Sequence, residues 1–176
     1  MILDTLKYFA TFVPLRALHN FFLYNGGDDY ARLKKEILSE RSERRIDAVT
    51  DYLFGINNES LRRRISSITG IYLLVDYANI TSTINATDCK KDTLHFAVTV
   101  AAPHPSDEDW VNEALLQQKC LDILTAIRRA MRNDWRDSDQ THWLVFPTTI
   151  APFSSRELAN SFGWTMEFDI EGVDIV

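Results

Sequence analysis

Leu116, Cys120, Ile123, Ile127 and Met131 recur at spacings of three and four residues, which puts them on one side of an α-helix. Val111, Ala114, Leu121 and Leu124 widen that stripe beyond a coiled-coil seam, so the face has to be buried against another element. The spacing predicts a long helix over residues 106–132. Pro105 and Ser106 give its start signal, with the Ser106 oxygen placed to accept from a backbone N–H of the first turn. Asp107, Glu108 and Asp109 lie at the positive end of the peptide dipole, and Arg128, Arg129 and Arg132 at the negative end. From Phe162 to Ile170 the period changes to two. Phe162, Trp164, Met166, Phe168 and Ile170 alternate with Gly163, Thr165, Glu167 and Asp169, which predicts a strand with one covered face. A helix packed on a sheet is the plan these two segments imply.

The rest of the chain extends that plan. Ile2, Leu6, Phe9 and Val13 share a helical face, Pro14 interrupts it, and Leu15, Leu18, Phe21 and Phe22 continue an apolar stripe. The polar side of this arm has no excess of Lys or Arg, so it is expected to fold onto its own domain or to dock on a neighbouring subunit rather than lie on a membrane. Residues 28–54 read as helix, interrupted by the polar block from Ser39 to Arg45. After Gly70, the run IYLLVDY predicts a central strand, and Asn79 to Thr87 either continues it or forms a second one. Leu94, Phe96, Val98 and Val100 alternate as a further strand, and His142 to Phe146 reads as another. Pro147 and Pro152 bracket an irregular or edge segment, and Ser155 to Ser161 suggests a short helical turn. The sum is an α+β fold: an antiparallel or mixed sheet of four to five strands, helices on one face, one long central helix, and a helical arm over 1–56 attached to a domain over 57–176.

Composition changes the picture mainly by exclusion. The 176 residues are 45% hydrophobic and 25% charged, enough to bury roughly 70% of the unfolded surface around one core. A formal charge of −6 argues against a surface that grips nucleic acid throughout. Cys89 and Cys120 are too few for a disulfide framework and are expected to be reduced thiols. No run of about 18 apolar residues occurs, so no membrane span is expected, and the three glycosylation triplets, at Asn58, Asn79 and Asn85, stand without other signs of export.

Candidate chemistry is sparse. His19, His95, His104 and His142 lack the i, i+4 pairing of a helical zinc site, no CxxC is present, and there is no G-x-S-x-G, phosphate loop or dinucleotide fingerprint. Neither a metal, a cofactor nor an enzymatic activity is therefore expected. Apart from the end of the long helix, concentrated basic charge occurs at Arg41, Arg44 and Arg45 and at Arg62, Arg63 and Arg64. These clusters are either solvated faces compensated by Glu36, Glu40 and Glu43 or contacts for an acidic partner.

From Gly70 onward, IYLLVDY, LHFAVTV, EALLQQKCLDILTAIRRAM and FPTTIAPFSSRELANSFGWTMEFDIEG follow one another as strand, strand, long helix, strand and final aromatic strand. In this order the chain resembles the tail terminator and tail-completion proteins of long-tailed bacteriophages. The resemblance implies a non-enzymatic subunit of a ring, commonly six-fold, at the head-proximal end of a tail in the virion, made in the host cytoplasm. Its partners would be further copies, the tail-tube protein and the head connector, with DNA only passing through. In such a ring, acids that do not hold phosphates suit the inner wall, and the candidates are Asp107, Glu108 and Asp109 at one end of the long helix and Asp134, Asp137 and Asp139 at the other. The two arginine clusters would then face partner proteins. The competing expectation is a non-enzymatic adaptor or regulatory module of a bacterial cell.

Overall fold

The structure is a computed structural model that describes residues 2–24, 26–56, 58–84, 90–104, 109–137, 144–145 and 149–172. Its helices are α1 (Ile2–Ala10), α2 (Leu15–Phe21), α3 (Asp28–Ser39), α4 (Asn58–Ile65) and α5 (Trp110–Asp137). Its strands are β1 (Val49–Phe54), β2 (Ile71–Ile84), β3 (Lys90–Ala102), β4 (Leu144–Val145), β5 (Ile150–Ser155) and β6 (Ser161–Gly172). They form one mixed sheet in the order β1-β2-β3-β6-β4, with β5 also paired to β6. β1 runs parallel to β2 and the other pairings are antiparallel. Because β3 takes one edge of β6, β4 and β5 share the other, β4 opposite Asp169 and Ile170 and β5 opposite residues 161–166. The α+β class, the mixed sheet and the long helix are as the sequence predicts.

Alternation along the long strands divides the buried side chains between two faces. Leu73, Val75, Phe96, Val98, Val100, Met166, Phe168 and Ile170 point to the main core. Cys120, Ile123, Leu124, Ile127 and Met131 of α5 cover that face, together with Leu6, Phe9 and Ala10 of α1, Ala17 and Leu18 of α2, and Ile37 of α3. Tyr72, Leu74 and Ala101 point the other way, into a smaller cluster with Leu53 of β1, Leu61 and Ile65 of α4, and Ile68. The expectation of helices on one face is therefore corrected at α4, which packs on the opposite side. The β1-α4-β2 connection joins two parallel strands, and such a crossover requires its helix to pass over a face.

One row of aromatic rings crosses the sheet on the main-core side. Tyr77 lies opposite Phe96 and Phe96 opposite Phe168, with ring centres 6.0 and 5.4 Å apart, and Phe54 of β1 extends the row 5.9 Å from Tyr77. Phe9 of α1 settles on its far end, 5.6 Å from Phe168. At the other end of the ladder, a Cβ on Gly163 would stand 2.1 Å from the Val100 carbonyl oxygen, so β6 crosses β3 there with no room for a side chain.

The N-terminal helices belong to this core. Phe9, Val13, Ala17 and Leu18 are fully buried. The Tyr52 hydroxyl donates to the Leu6 carbonyl at 2.9 Å, Arg45 donates to the Val13 carbonyl at 2.7 Å, and the Ile46 N–H donates to the Phe12 carbonyl at 2.9 Å. Residues 1–56 and 57–176 thus share one hydrophobic centre, and most of the apolar side of the arm is occupied within its own chain, while Ile2 and Leu15 are exposed.

Three further expectations change. The helix expected over 28–54 ends at Ser39, and Val49–Phe54 is a strand. Val49, Tyr52 and Leu53 fall at helical spacing, but pairing with β2, with an irregularity between Val49 and Asp51, makes the segment a strand. The long helix starts at Trp110 rather than Ser106 and runs on to Asp137; its cap is Asp109, whose Oδ1 accepts from the N–H groups of Val111 (2.9 Å) and Asn112 (3.3 Å). Between Ser155 and Ser161 the chain makes no helix but reverses from β5 into β6, with Ala159 and Asn160 both at φ 52°. β2 itself carries on through Ile84, and of the strand expected at 142–146 only Leu144 and Val145 lie within the described residues. Among the described residues no helix is long and apolar enough to cross a membrane.

Phe9→Ala removes a fully buried ring from the contact with Phe168, and it should lower the unfolding free energy by about 3–5 kcal/mol. Urea titration of the two proteins checks this, and a loss below about 1 kcal/mol would mean that the arm is not part of the core.

Candidate functional site

The charges singled out in the sequence are mostly engaged within the chain. Arg44 forms an ion pair with Asp134, and the Tyr8 hydroxyl donates to the same Asp134 oxygen at 2.7 Å. This junction joins α1, the loop after α3, and the last turns of α5. The Asp134 side chain is only 14% exposed. Burial first, and then the hydrogen bond and charge of Asp134, push the Tyr8 hydroxyl far above its ordinary range, while the Asp134 hydrogen bond raises the Arg44 guanidinium further. Two residues expected to face a lumen and a partner, respectively, therefore neutralise one another. Arg45 is spent on the carbonyls of Val13 and Glu40, and Arg64 bonds Asp51 at 3.2 Å. Arg62 pairs with Glu157 and Arg63 with Glu59, both in solvent, where such pairs contribute little. Arg41 is exposed beside the Arg44 junction. Of the remaining acids, Asp109 caps α5, Asp137 is its last residue, and Asp107, Glu108 and Asp139 lie outside the described residues.

A second group of acids, not picked out by sequence reasoning, gathers on the sheet face that α4 leaves open. Asp76, Ala97 and Glu167 form one row across β2, β3 and β6, and His95 lies opposite Asp169 in the neighbouring row. Together with Tyr77 and Ala78 these residues line a cleft of about 280 Å³. Oδ1 of Asp76 is buried and has no hydrogen-bond partner. Burial, acting against a backbone hydrogen bond and reinforced by the charge of Glu167, raises the Asp76 carboxyl above its usual range. In the neutral His95 ring, Nδ1–H donates to Asp169 at 2.6 Å and Nε2 accepts from the Thr81 hydroxyl at 3.2 Å. This is the order of groups used to activate a hydroxyl, but Thr81 is not among the residues lining the cleft. What the cleft itself offers is carboxylate oxygen, suited to a cation or a hydrogen-bond donor. Among the described residues no group of three or more His, Cys, Asp or Glu is arranged to hold a metal ion. Cys120 is a buried free thiol, raised by burial to about 11, which makes it inert.

The third feature lies at the start of α5. Trp110, Val111 and Leu115 are 83%, 68% and 64% exposed, and Ala114 between them is exposed as well. Val111 and Ala114 thus do not widen the buried stripe as expected. At about 100° per residue, they lie with Trp110 and Leu115 on roughly the opposite side of the helix from Cys120, Ile123 and Ile127. The helix carries two apolar faces, one buried and one in solvent. The signal was available in the i, i+4 pairs Trp110/Ala114 and Val111/Leu115, which are a stripe of their own.

Two substitutions test the electrostatics. The folded state holds the Asp76 proton more tightly than the unfolded chain, so its contribution favours folding below the ordinary value of 3.8 and is lost as pH rises. Asp76→Asn should therefore stabilise the protein at pH 7 by on the order of 1 kcal/mol, with the gain vanishing near pH 3; calorimetry at the two pH values reads both effects. Conversely, Asp134→Ala leaves Tyr8 and Arg44 without their shared acceptor and should lower stability by about 1–3 kcal/mol in a urea titration.

Compared with known proteins, this chain finds no match: no family model, no curated protein and no solved structure corresponds to it.

Proposed function

We propose that the chain is a structural subunit of a bacteriophage head-tail junction, assembling into a ring that caps the tail tube and joins it to the head connector. The observation that carries this reading is the second apolar face of α5. Trp110, with Val111 and Leu115, stands in water on the first turns of a long helix, and Trp110 is 83% exposed. Contiguous exposed apolar surface of this kind marks a protein-protein contact. The element order β2, β3, α5, β5, β6 is also the order on which the resemblance to tail terminator proteins rests, with the two-residue β4 as an additional strand after the helix. The packed faces of α1 and α2 are not the contact in this reading, because Leu6, Phe9, Val13, Ala17 and Leu18 are already in the core.

The acids of the cleft and the pairing of Arg44, Arg62, Arg63 and Arg64 with acids of the same chain suit a ring through which DNA moves without being held, since unpaired cations would bind phosphates in a salt-sensitive way. The ring would present its remaining surfaces to the tail-tube and connector proteins.

Native mass spectrometry of the full chain over a concentration series is the test. A closed homo-oligomer, commonly a hexamer, should appear as concentration rises. Monomer alone at every concentration, with and without tail-tube protein, would overturn the ring, and capture of the monomer by a host protein through α5 would favour an adaptor.

A further inference from the structure

A closed ring needs two different patches on each subunit, one to give and one to receive. The exposed face of α5 is a knob, and a groove of about 620 Å³ runs along the outward side of α3. Ala31, Lys34, Lys35 and Leu38 form its floor at spacings of one, three and four residues, and Tyr24 and Tyr30 form a wall. The wall is braced: the rings of Tyr24 and Tyr30 meet edge to face at 6.2 Å, the Tyr24 N–H donates to the Tyr30 hydroxyl at 3.3 Å, and Phe22 backs Tyr30 at 5.8 Å. Tyr24 is nonetheless 73% exposed.

The two surfaces are opposite in charge. Asp109 and Glu113 flank the apolar residues of the knob, and Lys34 and Lys35 flank those of the groove. Elsewhere on α3, Arg32 is matched by Asp29 and Glu36 by Lys7, and the two lysines are the cationic feature of the groove, although Lys34 also donates to the Phe22 carbonyl at 3.4 Å and Glu113 of the knob also meets His104 at 3.3 Å. For a chain of net charge −6, two copies repel on average, so a contact between them is favoured where a basic patch meets an acidic one.

Resting on the ring reading above, we propose that the occupant of the α3 groove is the N-terminal end of α5 from a second copy of this chain. Trp110 and Leu115 enter between Tyr24, Tyr30 and Leu38, with Glu113 and Asp109 set against Lys34 and Lys35. The contact is head-to-tail, so each subunit uses its knob on one neighbour and its groove on the other. Aromatic anchors surrounded by charged rims are the usual composition of the centre of such a contact.

Complementation tests it. One variant carries Trp110→Ser with Leu115→Ser and loses the knob; the other carries Lys34→Glu with Lys35→Glu and loses the groove. Trp110, Leu115 and Lys35 are exposed and Lys34 is half-buried, its Nζ donating to the Phe22 carbonyl at 3.4 Å, so circular dichroism with thermal melting verifies that both variants fold. Each alone should raise the midpoint concentration of assembly at least about thirtyfold, the loss expected on removing an interface anchor. Mixed one to one, they should form a heterodimer and nothing larger, since one intact knob and one intact groove remain. A mixture that stays monomeric overturns the proposal, as does a groove variant that assembles like the wild type, which is the outcome a symmetric α5-to-α5 contact requires. Either result leaves the ring reading standing, whereas a wild-type chain that never assembles removes both.

Discussion

The row of rings from Phe54 through Tyr77 and Phe96 to Phe168 is the constraint on which the rest depends. A β-strand slipped by one residue turns all its side chains to the other face. Four aromatic residues on four different strands can meet only if three pairings keep one register at once. That register sends Leu73, Val75, Val98 and Met166 to the helical side, and it sends Asp76, His95, Glu167 and Asp169 to the open one. The acid cleft is in this sense a by-product of the core, placed by the same alternation that buries the rings. Phe9 on the end of the row then recruits α1, and the Tyr52 hydroxyl holds α1 against β1.

The helical layer is fixed at two further points. Trp164 of β6 donates to the Gln117 carbonyl at 3.2 Å, where α5 first meets the sheet. Near the other end of α5, Asp134 gathers Tyr8 and Arg44. Between these points the helix is packed against apolar side chains, and before them it is not. The boundary between buried and exposed α5 therefore follows from where β6 begins to support it, and the two-faced character of its first turns is a matter of geometry as much as of composition.

Much of this was legible in the residues alone. The buried positions of α5 and the alternation of β6 stand in the sequence because each period persists long enough to be told from the other. β1 was not legible: VTDYLF is six residues long and its partner lies across a helical crossover, so no local period identifies it. The side of the sheet taken by α4 is likewise a property of the crossover. The ion pair of Arg44 and Asp134 spans 90 residues, and sequence reasoning gave its two ends separate roles because charge carries no mark of its distant partner. The acid cleft was missed for a related reason, since its members come one or two from each strand and gather only once the register is set. On α5 the error was of another kind: the residues were visible, but two stripes were merged into one.

Gly163 has a consequence for how the molecule tolerates change. With the Val100 carbonyl in the space a Cβ would need, any replacement forces β6 away from β3 at the one place where Phe162 and Trp164 turn the strand into the layer below α5. Displacement there would not stay local, because Trp164 is the post on which the free end of the helix is levelled. The close approach at Gly163 is thus one residue away from the hydrogen bond that ties β6 to the first turns of α5, so a side chain added at 163 strains the β3–β6 pairing beside that tie.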